Sequence, residues 1–600
     1  MKKLSLFLLA MAICLVAFRS WWQPRLAKEA AELSVPRATS DLRETRLDVG
    51  LSEAEAKLWH HHDEGSGFLP LSFFYALEDS QTGKPFIEAL SRFGFVPDPS
   101  NQHGLPIGLS AAPLSTAPNK ALMVGVSCAA CHSGQYTYQG AVMTIDGAPN
   151  MLDFEALLDS LEGDLAATLG SPSKLFKLIE SVMAWEQRLG AEEKLLEMHP
   201  SARRLVADAA EADEGHPLKA TRAHLEAGLH AAYHAETPAA ASARLIDVAG
   251  GLQGLAPEAS DGGANDDAGA WQHLKDGFAK MGEDLAFLRR HGERLVTLKK
   301  SYVGETAGGP GRADSFDAIW DLLVQTEQVT PMTAPVSIPH LFGYADFHWV
   351  HWDGNSSAAM GRDYAQAIAL GADYFRDTHV STVLPHNVIE LELTAHRLQA
   401  PVWPAEFLGA IDAQLVVKGE ALYAQHCLSC HSEETLTPLE EIGTDPQRAE
   451  NFAALSQDGK SYADLLIELG NAAASSSFAS HGVTEEDLAP VERSDHPTWR
   501  VTGAYHTRRL GGIWASPPYL HNGSVPTLWD LLQPVSARPQ KFAVGRELDA
   551  KKVGIDVDRQ GAGAWVFDVT QKGNANTGHT YGSKLVDADK WALVEYMKTL

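Results

Sequence analysis

Four of the five cysteines in this 600-residue chain fall into two C-x-x-C-H motifs. One lies in VGVSCAACHSGQYTYQG and supplies Cys128, Cys131 and His132; the other lies in ALYAQHCLSCHS and supplies Cys427, Cys430 and His431. The spacing is that of c-type haem attachment, in which two thiols add to the two vinyl groups of one haem and the adjacent imidazole binds its iron. A redox dithiol needs only the C-x-x-C and leaves the histidine unexplained. A zinc site could draw four thiolates from the two pairs, but both trailing histidines would then be coincidences. The six residues are therefore read as cofactor-binding, with two covalently bound haem c groups and His132 and His431 as iron ligands.

A chain of this length is expected to hold roughly three or four domains, and a hydrophobic content of 45% is enough for sizeable cores. The formal net charge is −28, which argues against nucleic acid or an anionic membrane surface as partner and allows a basic redox partner. The N-terminus, MKKLSLFLLAMAICLVAFRSWW, joins Lys2 and Lys3 to an apolar run from Leu4 to Phe18. Residues 1–22 read as a secretory signal or a short N-terminal membrane anchor, although the run is short for a full span and lacks an A-x-A-like cleavage site before Arg19. Cys14 within it, preceded by Ile13, gives little support to a lipoprotein. Export suits the haem motifs, since haem is joined to apocytochromes outside the cytoplasmic membrane, so a periplasmic location is expected.

Composition divides the rest. Residues 50–160 hold the first motif among Gly/Pro-rich loops, with TYQGAVMTIDGAPNML as a short hairpin or loop beside it. From Leu152 the apolar spacing turns helical. Residues 161–305 are rich in Ala, Glu, Leu and His and poor in aromatics, and read as a helical, acidic insertion with a flexible glycine-rich loop at 247–271. For its histidines, His216, His224, His230 and His234, solvated helix faces are a plainer explanation than a metal site. Residues 306–400 are aromatic-dense. A Pro-rich linker at 399–407 leads into 408–600, where a helix containing Gly419 runs into the second motif and DADKWALVEYMKTL forms a closing helix.

Several stretches together resemble the di-haem cytochrome c peroxidase superfamily, and within it the branch of the di-haem rubber oxygenase. They are SCAACHSGQYTYQG with IDGAPNMLD, GPGRADSF, HWDGNSSAAMGRDYAQAI, CLSCH, LGGIWASPPYLHNGSVPTLWDLL and GNANTGHTYG. The two haem motifs are generic, whereas PPYLHNGSVPTL after the second is much more specific. The resemblance implies a mainly α fold: two cytochrome c-like haem domains facing each other, with loop-rich connections and the helical insertion. It also implies an enzyme, a periplasmic di-haem oxidoreductase. The C-terminal haem relays electrons from a redox partner protein or small donor to an N-terminal haem whose open side meets peroxide or dioxygen. The alternative is a non-enzymatic di-haem electron carrier.

Carried over by position, His579 of GNANTGHTYG matches the second iron ligand of the C-terminal haem, with His521 of PYLHNGS as runner-up and Met597 better suited to packing. Trp352 of HWDGN matches a tryptophan near the reactive haem, able to relay an electron or stabilise a radical. Core packing is enough to explain Phe347 and Trp349. Arg312 and Asp314 are candidates to tie the interface, and no dense acidic loop for calcium is present. The chain departs from the peroxidases in one position. Where their distal helix carries a glutamate, the alignment places Gln366, with Asp363 and Asp353 as nearby acids. Cleaving peroxide requires moving a proton between its oxygens; an amide cannot do that, though it can donate a hydrogen bond to bound oxygen. Gln366 therefore weakens the peroxidase reading and leaves oxygen activation open.

Overall fold

The computed structural model describes residues 44–114, 121–189, 219–253, 264–324, 332–492, 498–561 and 563–600. The N-terminal run 1–22, Cys14 and His216 lie outside the described residues. The chain is 46% helical and 15% strand with several small sheets, which corrects the expectation of a mainly α fold of two haem domains: the architecture is mixed α/β. The physical reason lies around the first motif, where LMVGV and the alternating stretches SGQYTY and AVMTID favour pleated, half-buried ladders.

Strand β1 (Glu44–Arg46), helix α1 (Glu53–His61) and strands β2 (Leu69–Pro70), β3 (Leu109–Pro113) and β4 (Leu122–Val126) lead to the first motif, which is the short helix α2 (Cys128–His132). Strands β5 (Ser133–Tyr138) and β6 (Ala141–Asp146) follow without a gap. One sheet has the order β2-β4-β3 and another the order β1-β6-β5, so α2 is held between a strand that ends before it and one that begins after it. Gln139 and Gly140 turn β5 into β6 with φ of 50° and 86°, as a type I′ hairpin requires. The next segment satisfies the carbonyls that a five-residue helix leaves open: Gly147 N donates to His132 O at 2.7 Å and Asn150 N to Cys131 O at 2.8 Å. The Asn150 side-chain amide donates to Ala130 O at 2.9 Å.

Asp146 anchors this region. Its carboxylate accepts from Arg46 Nε at 2.7 Å and Ser133 Oγ at 2.8 Å and pairs with His60 Nε2 at 2.8 Å, fully buried. Burial pushes the carboxyl up, but His60, Arg46 and Ser133 outweigh it and hold it below the usual aspartate value. A group depressed in this way stabilises the fold fully above its unfolded pKa of about 3.9 and loses that contribution as pH falls through its folded value. Asp146→Ala is expected to cost about 3–5 kcal/mol in chemical denaturation at pH 7, because it strands buried partners. The gap to the parent should narrow below about pH 4; a constant gap down to pH 2 would sink the assignment.

Among the described residues, five helices lie between 154 and 300: α3 (Phe154–Leu169), α4 (Pro172–Leu189), α5 (Lys219–Tyr233), α6 (Pro238–Gln253) and α7 (Ala264–Lys300). A Cβ at Gly282 of α7 would stand 2.6 Å from the backbone of Ser242 in α6, so these helices touch through backbone. His224 and His230 are half-buried and His234 is exposed. The end of α7 braces α8 (Ala359–Ala369): Tyr302 Oη donates to Ala369 O at 2.9 Å, and Arg294 Nη2 to Gly371 O at 2.9 Å. Helix α9 (Pro385–Ala395) packs beside α8.

Helix α10 (Ala413–His426) runs into the second motif, whose last four residues form α11 (Leu428–His431). The closing helix, α12 (Asp587–Met597), crosses α10 at Gly419, where an added Cβ would lie 2.0 Å from Ala592 O. The two ends of the chain's fold are stitched together. Thr137 N of β5 donates to Arg546 O at 2.8 Å, and Arg546 Nη1 donates to Gln135 Oε1 at 2.8 Å and Nη2 to Gly94 O at 2.5 Å. Among the described residues, no helix is long and apolar enough to cross a membrane.

Candidate functional site

Each motif opens into a largely apolar cavity, of about 200 Å³ at the first and about 210 Å³ at the second. Cys128, Cys131 and His132 line one; Cys427, Cys430 and His431 line the other. Both histidines are oriented in the same way. His132 Nδ1 donates to Pro339 O at 3.0 Å, and His431 Nδ1 to Arg508 O at 2.8 Å. A carbonyl partner requires Nδ1 to carry the proton, which leaves Nε2 as the free base of a metal ligand. Burial lowers both pKa values, that of His132 to about 4, so each ring is neutral. The thiols are not thiolates: burial raises Cys128 well above its usual value and pushes Cys131 to about 12.

The second cavity contains a facing imidazole. His579 lies across from His431 with ring centroids 6.4 Å apart. A ligating imidazole nitrogen sits about 2 Å from its metal, so two rings on opposite sides of one ion stand roughly 6–6.5 Å apart. The His579 Nδ1 is buried without a hydrogen-bond partner, and burial lowers its pKa to about 4. Its backbone has φ of 42°, a conformation that costs a non-glycine residue about 1–3 kcal/mol unless its surroundings impose it. Arg538 imposes it: the buried guanidinium donates to the carbonyls of Leu531, Asn576, Gly578 and His579 at 2.6–3.1 Å. His521 also lines this cavity, but its ring stacks on Tyr505 at 4.1 Å. Met597 lines it too, from α12. A pair of thiols, a neutral histidine with a free Nε2 and apolar walls fit a c-type haem at each motif, and the second cavity adds a facing imidazole.

The first cavity has a polar wall. Helix α8 brings Arg362, Asp363 and Gln366 to it, so the residue aligned with the peroxidase glutamate does face this space. Asp353 does not line it, and instead accepts from Asn355 Nδ2 at 3.0 Å. Arg362 pairs with Glu392 at 3.1 Å and Asp363 at 2.8 Å, and Tyr344 Oη donates to Glu392 at 2.7 Å. Burial pushes Glu392 up, but Arg362, His396 and Tyr344 outweigh it and hold it at about 2. Burial drives Asp363 far above the usual range despite Arg362. Glu64, which accepts from Cys128 N at 2.5 Å, is raised by burial to about 7. The wall therefore offers Glu64, a carboxyl able to hold a proton near neutrality, beside the ion-paired group of Arg362, Asp363 and Glu392. His351 lines the same cavity, with Nδ1 on Asn355 Oδ1 at 2.7 Å and its ring stacked on Trp499.

The two cavities share a wall of Ser337, Ile338, Pro339, Trp352 and Arg508. The Trp352 indole donates to Ser337 O at 2.7 Å, so this tryptophan stands between the two spaces. Arg312 and Asp314 are buried nearby, but they do not pair with each other: Arg312 donates to Pro335 O and Asn574, and Asp314 pairs with Arg448. Sequence reasoning missed Glu64, within HHHDEGSG, and Arg508. An acid in a run about to be buried was the only hint of Glu64, and nothing local marked Arg508.

Residues 504–543, which include Arg508 and His521, match the family described as RoxA-like, cytochrome c-like, so this stretch is similar to a cytochrome c-like domain. The whole chain is similar to the uncharacterized protein y4iJ of Sinorhizobium fredii (strain NBRC 101917 / NGR234), with 26% identity over 93% of each chain. It is also 30% identical to the uncharacterized protein y4iM of the same organism over 342 residues, 51% of this chain and 74% of that one. The chain belongs to the family of y4iM.

Proposed function

We propose that the protein is a periplasmic di-haem c-type oxidoreductase of the rubber oxygenase-like kind. Cys128, Cys131 and His132 hold one haem with an accessible far side, and Cys427, Cys430, His431 and His579 hold another that is closed on both faces. When bound, c-type haem supplies one-electron redox chemistry and, where an iron position is open, a seat for peroxide or dioxygen. The observation that carries the reading is the asymmetry between the cavities: a second imidazole 6.4 Å from His431, against a wall of carboxyls and an amide opposite the first motif.

The chain's own residues divide the work. His431 and His579 are suited to electron relay, since a site with both positions filled changes little on redox. Trp352 stands in the shared wall. At the first cavity, Gln366 donates a hydrogen bond, Glu64 holds a proton and Asp363 orients Arg362. An amide in place of a distal carboxylate favours oxygen activation over ordinary peroxide reduction. Residues 1–22 serve export or tethering, and electrons come from a redox partner protein or small donor. One observation favours the rival, a di-haem carrier: His351 also lines the first cavity and would close it if it ligated.

The test is a low-temperature EPR spectrum of the oxidised holoprotein, with haem content determined on the same sample. One high-spin and one low-spin ferric signal are expected. Two low-spin signals in the oxidised protein, with the one haem left ferric at half-reduction still low-spin, would establish the carrier instead.

A further inference from the structure

The two motif histidines are joined by a chain of peptide and hydrogen bonds. His132 Nδ1 donates to Pro339 O at 3.0 Å. The next carbonyl along, that of His340, accepts from Arg508 Nη1 at 3.3 Å. The backbone carbonyl of Arg508 then accepts from His431 Nδ1 at 2.8 Å. Arg508 thus grips one histidine's support with its side chain and the other histidine with its main chain. Its guanidinium also lies over the rings of Trp352 and Phe347, at 5.1 and 5.5 Å from their centroids, and it lines both cavities.

We infer that Arg508 is the positioning residue that couples the two haems, carrying the electronic link between His431 and His132 and biasing both irons with one shared positive charge. The inference rests on both motifs carrying haem. The step it serves is a single electron transfer in which one haem is oxidised by one electron and the other reduced by one, with no proton or bond exchanged. Covalent and hydrogen-bonded atoms fill the whole route, with no gap wider than the 3.3 Å contact. The rival route is the Trp352 indole, whose hydrogen bond runs to Ser337 O, off the path between the histidines. Lysine is not an equivalent substitute, because it keeps the charge but replaces the planar fork with a single amine.

The experiment uses purified holoprotein carrying Arg508→Gln, Arg508→Lys or Trp352→Phe. Haem per chain and EPR spectra are recorded first, followed by spectroelectrochemical titration and then flash reduction by photoexcited flavin to time electron exchange between the haems. In Arg508→Gln the exchange is expected to slow by about tenfold, and both midpoint potentials to fall, with two haems retained. Trp352→Phe is the arm for the rival route, and any loss of rate there should be smaller than in Arg508→Gln. In Arg508→Lys the potentials should be kept and the rate lowered, and this arm decides if the glutamine variant does not hold two haems. An unchanged rate in the deciding arm overturns the inference, as does a Trp352→Phe rate that accounts for the whole loss. A parent protein with fewer than two haems per chain would instead overturn the reading on which the inference rests.

Discussion

A His579→Ala variant is expected to keep both haems attached but lose the low-spin ferric signal of the second, replaced by a high-spin signal. Attachment depends on Cys427 and Cys430, and the proximal side on His431, whose Nδ1 is fixed by Arg508 O; the substitution touches none of these. It removes the ring standing 6.4 Å from His431. The two residues that could take its place are both committed elsewhere. His521 stacks on Tyr505 at 4.1 Å, and Met597 belongs to a helix that packs tightly on α10. The loop itself should persist, since Arg538 holds the carbonyls on either side. Exogenous imidazole should restore the low-spin signal by filling the vacated space. A spectrum that stays low-spin without imidazole would assign the ligand to His521 or Met597 and remove His579 from the site.

Gly419→Ala should destabilise the second haem region more than any other single-methyl change at a helix contact. The added Cβ would meet Ala592 O at 2.0 Å and the Tyr596 side chain at 2.7 Å. The first obstacle is backbone within α12, so no rotamer change relieves it and the two helices must separate. Overpacking of this kind costs about 1–3 kcal/mol, occasionally more, and a backbone collision belongs at the upper end. Cys427 caps α10, so the strain is delivered directly to the motif. The expected result is a lower denaturation midpoint, followed in parallel by haem absorbance and far-UV circular dichroism. A midpoint equal to the parent's would mean that the helix crossing is looser than described.

The motifs were legible because each is a local pattern tied to chemistry, whereas His579 and Gln366 were singled out by resemblance alone; the structure puts both on a cavity wall. The sheets around the first motif were not. β1 pairs in parallel with β6 across almost a hundred residues, Glu44 against Val142, and nothing in ETR announces a partner. LMVGV reads equally well as a lead-in to the motif and as a central strand, and only its ladders to β2 and β3 decide between the two. The polar wall of the first cavity was half legible. Asp363 lies three residues from Gln366, one helical turn away, whereas Glu64 arrives from the other end of the domain through its bond to the Cys128 amide. Arg508 and Arg538 act through carbonyls of irregular loops, and loop carbonyls carry no sequence signature.

The bonds from Arg546 to Gly94 and Gln135 also set a schedule. A chain made from its N-terminus presents Cys128 and Cys131 more than four hundred residues before Arg546 exists. Until then β5 lacks a neighbour at Thr137, and the first motif is closed on one side only. In the folded chain Ala129 and Ala130 between these thiols are fully buried, while Leu428 between the other pair stays 42% exposed. The thiols of the first motif are therefore easiest to reach before the C-terminal part of the chain docks, and those of the second stay the more open of the two afterwards.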